Sequence, residues 1–548
     1  MKYLLVAINA KYIHSNLAVY SFKTYAQSQG FAVDLKEYTI NQPKDLILKD
    51  IYQQKADAVF FSCYIWNMSL VDTLIQNLHK VSPDLPIFLG GPEVSYDAPQ
   101  VLEKYPFLAG ILSGEGEKTF VEVLKSDWGN LPMGKIYESI PVSMDELPFV
   151  YDKMNMEELQ HRIPYYESSR GCPFSCSYCL SSIDKRLRFR SLKLVKKELQ
   201  FFIDNEVPQV KFVDRTFNCK KDHAMEIWKY IVEHDRGITN FHFEIAADLI
   251  TEEQLELMAS MRPGLIQLEI GVQSTHEPTL EAIRRKMDFG KLTQIVKRIQ
   301  SGRNIHQHLD LIAGLPYEDY VTFRKSFNDV YSLAPDQLQL GFLKVLKGSY
   351  MHEAVTKYDC IYRGEPPYEV LSTKWMTYDE IILLKSVDKM VDIYYNSGQY
   401  TKTLPLLVDA FATPFDFYLA LGLFYEKMGY EIISHSRIRR YDILLEFADA
   451  CNRGDFENIC AKGNRTVSYM IGNAVDETIE KKDSRKNSIP MKEIDREQLI
   501  EAMTIDLYLR EKLKKAPVWA VDLTQKYTFD YNQRDPLTGN AQMIKLSE

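Results

Sequence analysis

No stretch of this 548-residue chain is apolar for long enough to span a bilayer. The run Tyr3–Ile8 behind Met1-Lys2 is too short for the apolar core of a signal peptide, and no cleavage site follows it. Cysteine is scarce at 8 residues, which in so long a chain excludes a disulfide framework. Together these absences predict a cytoplasmic protein that does not engage membranes. An excess of positive charge is missing too: 66 Lys and Arg face 75 Asp and Glu, a formal net charge of −9. Nucleic-acid binding driven by phosphate contacts needs the opposite balance, so only a local basic patch could serve it. With 45% hydrophobic residues the chain can bury large cores, and its length suits about three domains.

The scarce cysteine is concentrated. Cys172, Cys176 and Cys179 fall in Cys172-Pro173-Phe174-Ser175-Cys176-Ser177-Tyr178-Cys179, directly after the strand-like run Tyr165–Ser169. A loop this short, with C-x3-C-x2-C spacing, can turn three sulfurs onto one face. Structural zinc takes four protein ligands, usually from two separated pairs. A 4Fe–4S cluster held by three thiolates keeps one iron without a protein ligand. The spacing therefore points to a cluster. Cys360, Cys451 and Cys460 are scattered and offer no second one. Cys63 reads as a small buried residue lining a pocket, and Cys219 has no partner cysteine nearby.

Residues 1–135 alternate five apolar runs (Tyr3–Ile8, Val33–Tyr38, Ala58–Tyr64, Ile87–Leu89, Gly110–Leu112) with helical spacings at Leu17–Gln27, Asp45–Gln54 and Leu70–Val81. This α/β pattern predicts a doubly wound, flavodoxin-like parallel sheet. Ligands of such sheets sit beyond the carboxyl ends of the strands. Three loops follow those ends. One holds His14, one holds Gly90, Gly91 and Glu93, and one holds Gly114, Glu115 and Gly116. Glycine there lets a bulky ligand approach the backbone.

Residues 136–162 lack periodicity and read as a linker. From 163 to 350 the alternation resumes, with strands expected at Ile163–Ser169, Gln209–Val213, Asn240–Ala246, Leu265–Gly271, Ile305–Ile312 and Gln337–Leu343. Ser191 is a candidate N-cap for the first intervening helix. Six strand–helix units suit a partial α/β barrel, whose reactive groups belong at the carboxyl ends of its strands. Asp214, Glu244, Asp248, Gln273 and Asp310 fall there or within the strands. Ionised carboxylates in such places need a donor or a cation. The basic run 185–190 reads as a solvated face or as contacts to an anionic ligand. Residues 351–548 predict a mainly helical extension, with helices at Tyr378–Ser397, Pro414–Gly429, Arg439–Ala450 and Arg496–Lys514 and an exposed connector at 481–487. It carries no metal or nucleophile motif and reads as a lid or substrate-selecting domain.

The cysteine octet resembles the signature of the radical S-adenosylmethionine (AdoMet, SAM) superfamily. The resemblance implies that AdoMet chelates the open iron. It further implies that the reduced cluster, fed by an external reductant such as flavodoxin or ferredoxin, cleaves AdoMet to methionine and a 5′-deoxyadenosyl radical. Tyr178, just before the third cysteine, would lie near the adenine. Gly-Val-Gln-Ser at 271–274 and Asp-Leu-Ile-Ala-Gly-Leu-Pro at 310–316 resemble the subgroup that includes the oxygen-independent coproporphyrinogen oxidases. Carried over by position, Glu244, Gln273, Arg285 and Asp310 match AdoMet-contacting residues, with Arg284 an alternative to Arg285.

The Gly-Gly-Pro-Glu and Gly-Glu-Gly-Glu loops ahead of such a domain resemble the cobalamin-binding members. That resemblance implies cobalamin contacts for Gly90, Gly91, Glu93, Gly114, Glu115 and Gly116. The Asp-x-His-x-x-Gly corrinoid motif is absent, so cobalt without a protein histidine is expected and His14 is a loop residue. The extension resembles the uncharacterised C-terminal region of one bacterial family of such proteins. The reading is a cobalamin-dependent radical SAM methyltransferase acting on an unactivated carbon of an unknown small molecule or peptide. Its rivals are a cobalamin-dependent cyclisation or rearrangement enzyme, a tRNA methylthiotransferase-like enzyme and a non-enzymatic corrinoid or metal-binding sensor. Methylthiotransferases carry three further cluster cysteines in the first domain, where this chain has only Cys63.

Overall fold

Every residue of Tyr3–Asn9 (β1) is buried, as an apolar strand must be when both faces of its sheet are covered. Its side chains leave alternately to two cores. Leu4, Val6 and Ile8 pack with Ile47, Leu74 and Leu78, and Tyr3, Leu5 and Ala7 pack with Val19, Phe88 and Phe120. Five further strands run parallel with β1: β2 (Val33–Thr39), β3 (Ala58–Ser62), β4 (Ile87–Gly90), β5 (Gly110–Ser113) and β6 (Lys135–Glu138). The order is β2-β1-β3-β4-β5-β6. It reverses between β1 and β3, the point at which open α/β sheets form a ligand crevice.

All five expected strands are present within two residues of the expected limits. β6 is a sixth, inside the stretch read as a linker. At this edge only Tyr137 of Lys-Ile-Tyr-Glu is buried, so the strand leaves little hydrophobic signal.

The computed structural model describes residues 1–152, 159–454, 491–512 and 516–546. Cys460 and the expected connector at 481–487 lie outside the described residues. The chain forms two compact units, one of residues 1–257 with 344–370, the other of 258–343 with 371–548. Within the first unit, Tyr165–Tyr166, Gln209–Phe212 and Asn240–Ile245 are parallel neighbours in that order, joined through helices Leu192–Asp204 and Lys221–His234. Ser191 occupies the N-cap position of the first helix, but its hydroxyl makes no cap, and its backbone N–H donates to Asp145 instead.

Within the second unit, Ile266–Gln273, His306–Ala313 and Gln337–Phe342 are parallel neighbours, alternating with helices Phe289–Gly302 and Tyr320–Tyr331. The central region thus holds the six expected strands, three in each unit. The extension is mainly helical, as expected. Phe415–Tyr425 of helix Pro414–Met428 are all buried, which suits a helix that is apolar all round. Helix Tyr378–Met390 opens on a Thr377–Glu380 capping box and passes into a π-helical turn at Val391–Tyr395. A closing antiparallel hairpin, Tyr527–Arg534 with Ala541–Lys545, was not anticipated. Its signal was the turn Asp535-Pro536-Leu537-Thr538-Gly539-Asn540, where Asp535 accepts from Thr538 and Gly539 takes φ +68°.

Candidate functional site

The cysteine loop is built from its flanks. Upstream, Ser168 and Ser169 donate their hydroxyls to buried Asp214 at 2.7 and 2.5 Å, and the backbone N–H of Ser168 adds a third bond at 3.0 Å. His223 Nε2 lies 3.2 Å from the Ser168 hydroxyl, and burial lowers the pKa of this imidazole to about 4. Gly171 then turns with φ +90°, and a Cβ there would lie 2.5 Å from the Arg186 carbonyl. Cys172 N–H donates to Asp184 O at 3.2 Å, Cys179 N–H to Cys176 O at 3.2 Å, and Met351 N–H to Ser177 O at 2.8 Å.

These bonds fix the loop through its backbone. Cys172, Cys176 and Cys179 form no disulfide; the first two are buried and the third is half-buried, as is Tyr178. Cys172 Sγ lies 3.8 Å from Thr216 Oγ1, and the buried Ser177 hydroxyl has no hydrogen-bond partner. Among the described residues no three His, Cys, Asp or Glu side chains converge tightly enough for a single metal ion. A cluster needs no such convergence, since each thiolate binds its own iron. Burial pushes the Cys219 thiol up to about 11.

Beyond the carboxyl ends of β1, β3, β4 and β5 lies a cavity of about 950 Å³, near the upper end for small-molecule sites. Asn9, Ser62, Gly90 and Gly116 line it from the sheet, and Glu167, Gly171, Leu180 and Arg215 line it from the cysteine-loop side. Gly91, Gly114 and Glu115 also line it. Glu93 does not. It is buried on Tyr368, whose hydroxyl donates to it at 2.8 Å, and burial raises its carboxyl above the usual range.

The glycines are closely packed by the protein itself. A Cβ on Gly91 would lie 2.4 Å from the Cys63 carbonyl, one on Gly116 2.0 Å from the Phe22 ring, and one on Gly114 2.9 Å from Ser139. Cys63 is fully buried, as expected, but is not among the residues lining the cavity, and its thiol is pushed up to about 12. His14 lines the cavity with Nδ1 2.7 Å from the Tyr165 hydroxyl. Burial, with Lys11 and Lys211, lowers its pKa and keeps it neutral.

The basic run after the cysteines is divided: Lys185 and Arg186 are exposed, Arg188 is half-buried and Arg190 is buried. Arg188 pairs with Glu115, and Arg190 with buried Glu198 at 2.5 Å. Arg186 pairs with Asp184 at 3.0 Å, and Lys185 donates to the Phe174 carbonyl. Arg170 joins Glu115, Glu117 and Glu167. Burial acts to raise the Glu117 carboxyl, but Arg170 outweighs it and holds it below its usual range. Glu115 and Glu117 reach Arg170 and Arg188 across 53 to 73 residues, whereas Asp184–Arg186, Glu167–Arg170 and Arg190–Glu198 are pairs close in sequence.

Of the remaining expected residues, Glu244 sits half-buried in the first unit on strand Asn240–Ile245. The other three belong to the second unit. Gln273 ends its strand with φ +73°, a conformation that costs a non-glycine residue energy and that concentrates at functional sites. Its buried Oε1 has no hydrogen-bond partner. Arg285 donates to Gly271 O, and Arg284 is exposed. Asp310 is the strand partner of Gly271 and lies 3.0 Å from His308. Gln273, Arg285 and Asp310 are therefore gathered at the carboxyl ends of two neighbouring strands.

Residues 3–124 match the B12 binding domain family, residues 166–330 the Radical SAM superfamily, and residues 356–543 a protein family of unknown function (DUF4080). The chain is 24% identical over 299 residues to a 2-(S-pantetheinyl)-carbapenam-3-carboxylate methyltransferase of Streptantibioticus cattleyicolor, covering 49% of this chain and 44% of that protein. It is 24% identical over 405 residues to the cobalamin-dependent radical SAM methyltransferase TokK of Streptomyces tokunonensis, covering 64% and 58%. The chain thus spans about half the length of these relatives. The solved structure of the methyltransferase TsrM of Kitasatospora setae, with cobalamin and a [4Fe-4S] cluster bound, is alike in fold. Its TM-score is 0.52 at 16% identity, covering 67% of this chain and 79% of that one. No helix among the described residues is long and apolar enough to cross a membrane.

Proposed function

We propose that this chain, in which a B12 binding domain leads into a radical SAM domain, is a cobalamin-dependent methyltransferase acting on an unactivated carbon of a small-molecule or peptide substrate. One observation carries the reading. A single cavity of about 950 Å³ is lined both by the strand-end loops of the B12 sheet and by the flanks of the three-cysteine loop. When bound, the cluster and AdoMet supply hydrogen abstraction, and cobalamin supplies a transferable methyl group.

The residues divide the work of holding these groups. Cys172, Cys176 and Cys179 ligate the cluster, and the unpartnered Ser177 hydroxyl gives the loop one donor to spare. Tyr178 lies along the adenine. The resemblance assigns AdoMet contacts to Glu244 and, separately in the second unit, to Gln273, Arg285 and Asp310, where the unsatisfied Gln273 Oε1 would accept from the ligand's ammonium. The backbones around Gly90, Gly91, Gly114 and Gly116 line the corrin side of the cavity. With the Asp-x-His-x-x-Gly motif absent, His14, held at Nδ1 by the Tyr165 hydroxyl, would not ligate cobalt, and electron paramagnetic resonance of the cobalt(II) form should lack nitrogen splitting.

Anaerobic reconstitution with iron, sulfide and cobalamin, followed by AdoMet and a flavodoxin-type reductant, tests the whole. Cobalamin retention with formation of both 5′-deoxyadenosine and S-adenosylhomocysteine is expected. 5′-Deoxyadenosine without S-adenosylhomocysteine would instead favour cyclisation or rearrangement, and failure to retain cobalamin would sink the reading.

A further inference from the structure

Five arginines line the cavity, and the chain's own carboxylates answer four of them: Arg170, Arg186, Arg188 and Arg190. Arg215 is different. It follows Asp214 at the end of strand Gln209–Phe212, is exposed, and lines the same cavity. Among the described residues no side-chain hydrogen bond or ion pair engages its guanidinium. Its neighbours on both sides belong to the proposed site. The next residue, Thr216, places its hydroxyl 3.8 Å from Cys172 Sγ. Tyr64 also lines the cavity, stacked on Trp66 at 4.4 Å; burial raises the Tyr64 hydroxyl, and the charge of Arg215 works against that rise.

An arginine on an open surface is well solvated and screened by salt. One facing a cavity with low-dielectric walls concentrates its field there, and its planar fork matches carboxylate and phosphate oxygens. We propose that Arg215 anchors an oxyanion, a carboxylate or a phosphate, of a molecule bound in this cavity. Two sources offer that chemistry. One is the phosphodiester of cobalamin's nucleotide loop, and the other is an acidic group on the substrate, which would make the substrate class anionic. Only the choice between these sources rests on the function proposed above; the anion site itself does not.

The test uses the full chain, with its cluster and without cobalamin, modified by phenylglyoxal in phosphate-free buffer and read by peptide mass spectrometry. Arg215 should react faster than the paired Arg170, Arg188 and Arg190. Inorganic phosphate or acetate should slow its modification, and R215Q should weaken phosphate binding in equilibrium dialysis about tenfold or more, as loss of a charge-assisted bond predicts. R215K, which keeps the charge but not the fork, should fall between. Unslowed modification with both anions, or unchanged phosphate binding by R215Q, overturns the proposal. A second arm loads cobalamin or cobinamide, which has no phosphodiester. Greater protection of Arg215 by cobalamin identifies the cofactor's phosphate, and equal protection assigns the anion to the substrate. A chain that takes up neither corrinoid would sink the proposed function while leaving the phosphate result standing.

Discussion

Around the cysteine loop, backbone hydrogen bonds to Asp184, Cys176 and Met351 hold the chain in place without drawing Cys172, Cys176 or Cys179 into a disulfide. In the glycine loops of the first sheet the reverse holds. The places that side chains would take are filled by the Cys63 carbonyl at Gly91, the Phe22 ring at Gly116 and Ser139 at Gly114. A thiol keeps its chemistry wherever it is put. A missing side chain marks only that something comes close, and here much of what comes close is protein.

The sharpest test of the first half is chemical. Replacing Cys172, Cys176 or Cys179 with Ala should abolish the iron–sulfur absorbance of anaerobically reconstituted protein, whereas Cys360→Ala and Cys451→Ala should leave it intact. Full cluster in all three loop variants would break the comparison at its root. The glycine half predicts a cofactor-independent effect. Gly91→Ala should cost the cobalamin-free chain about 2–4 kcal/mol, from overpacking on Cys63 and an unfavourable φ of +108°. Gly90→Ala, whose Cβ would sit 3.5 Å from its nearest neighbour, should cost far less. Equal denaturant midpoints for the two variants in the absence of corrinoid would return Gly91 to a purely ligand-facing role.

A second contrast sets two buried carboxylates side by side. Glu117 in the first unit has Arg170 at 2.5 Å and is held below its usual range. Glu318 in the second unit has, among the described residues, only the Ser274 and Ser326 hydroxyls, at 2.6 and 2.9 Å, and burial pushes it up to about 7. A carboxyl raised in the folded state favours folding below its unfolded value of 4.5, and that contribution is lost as pH rises toward 7. Stability should therefore fall by up to about 3 kcal/mol across that window, superposed on other titrations. E318Q, which cannot ionise, should show a flatter profile in melts across the same range. A wild-type profile no steeper than that of E318Q would place the Glu318 titration elsewhere. The smallest effect belongs to Arg186, whose pair with Asp184 is solvent-exposed. Arg186→Ala should leave the melting temperature unchanged within error, because exposed ion pairs contribute little.

What the sequence determined by itself was whatever depends on neighbours along the chain. The five runs became β1 to β5: β1, β3, β4 and β5 are apolar nearly throughout because both faces of the sheet are covered, while edge strand β2, only partly buried, keeps Asp34, Lys36 and Glu37. The helices followed their own periodicity, and the cysteine spacing brought three thiols onto one loop. Tertiary structure decided everything that required distant segments to meet. Tyr368 reaches Glu93 across 275 residues and takes it out of the cavity lining, and Arg188 reaches Glu115 across 73. Edge strand β6 and the final hairpin escaped the periodicity because half-solvated strands need no run of apolar residues. Charge in the basic run was visible from the start. Asp184 and Glu198 lie near Arg186 and Arg190 in sequence, but Glu115 meets Arg188 only through the fold of the first unit, and that Arg215 meets no carboxylate among the described residues was likewise decided there.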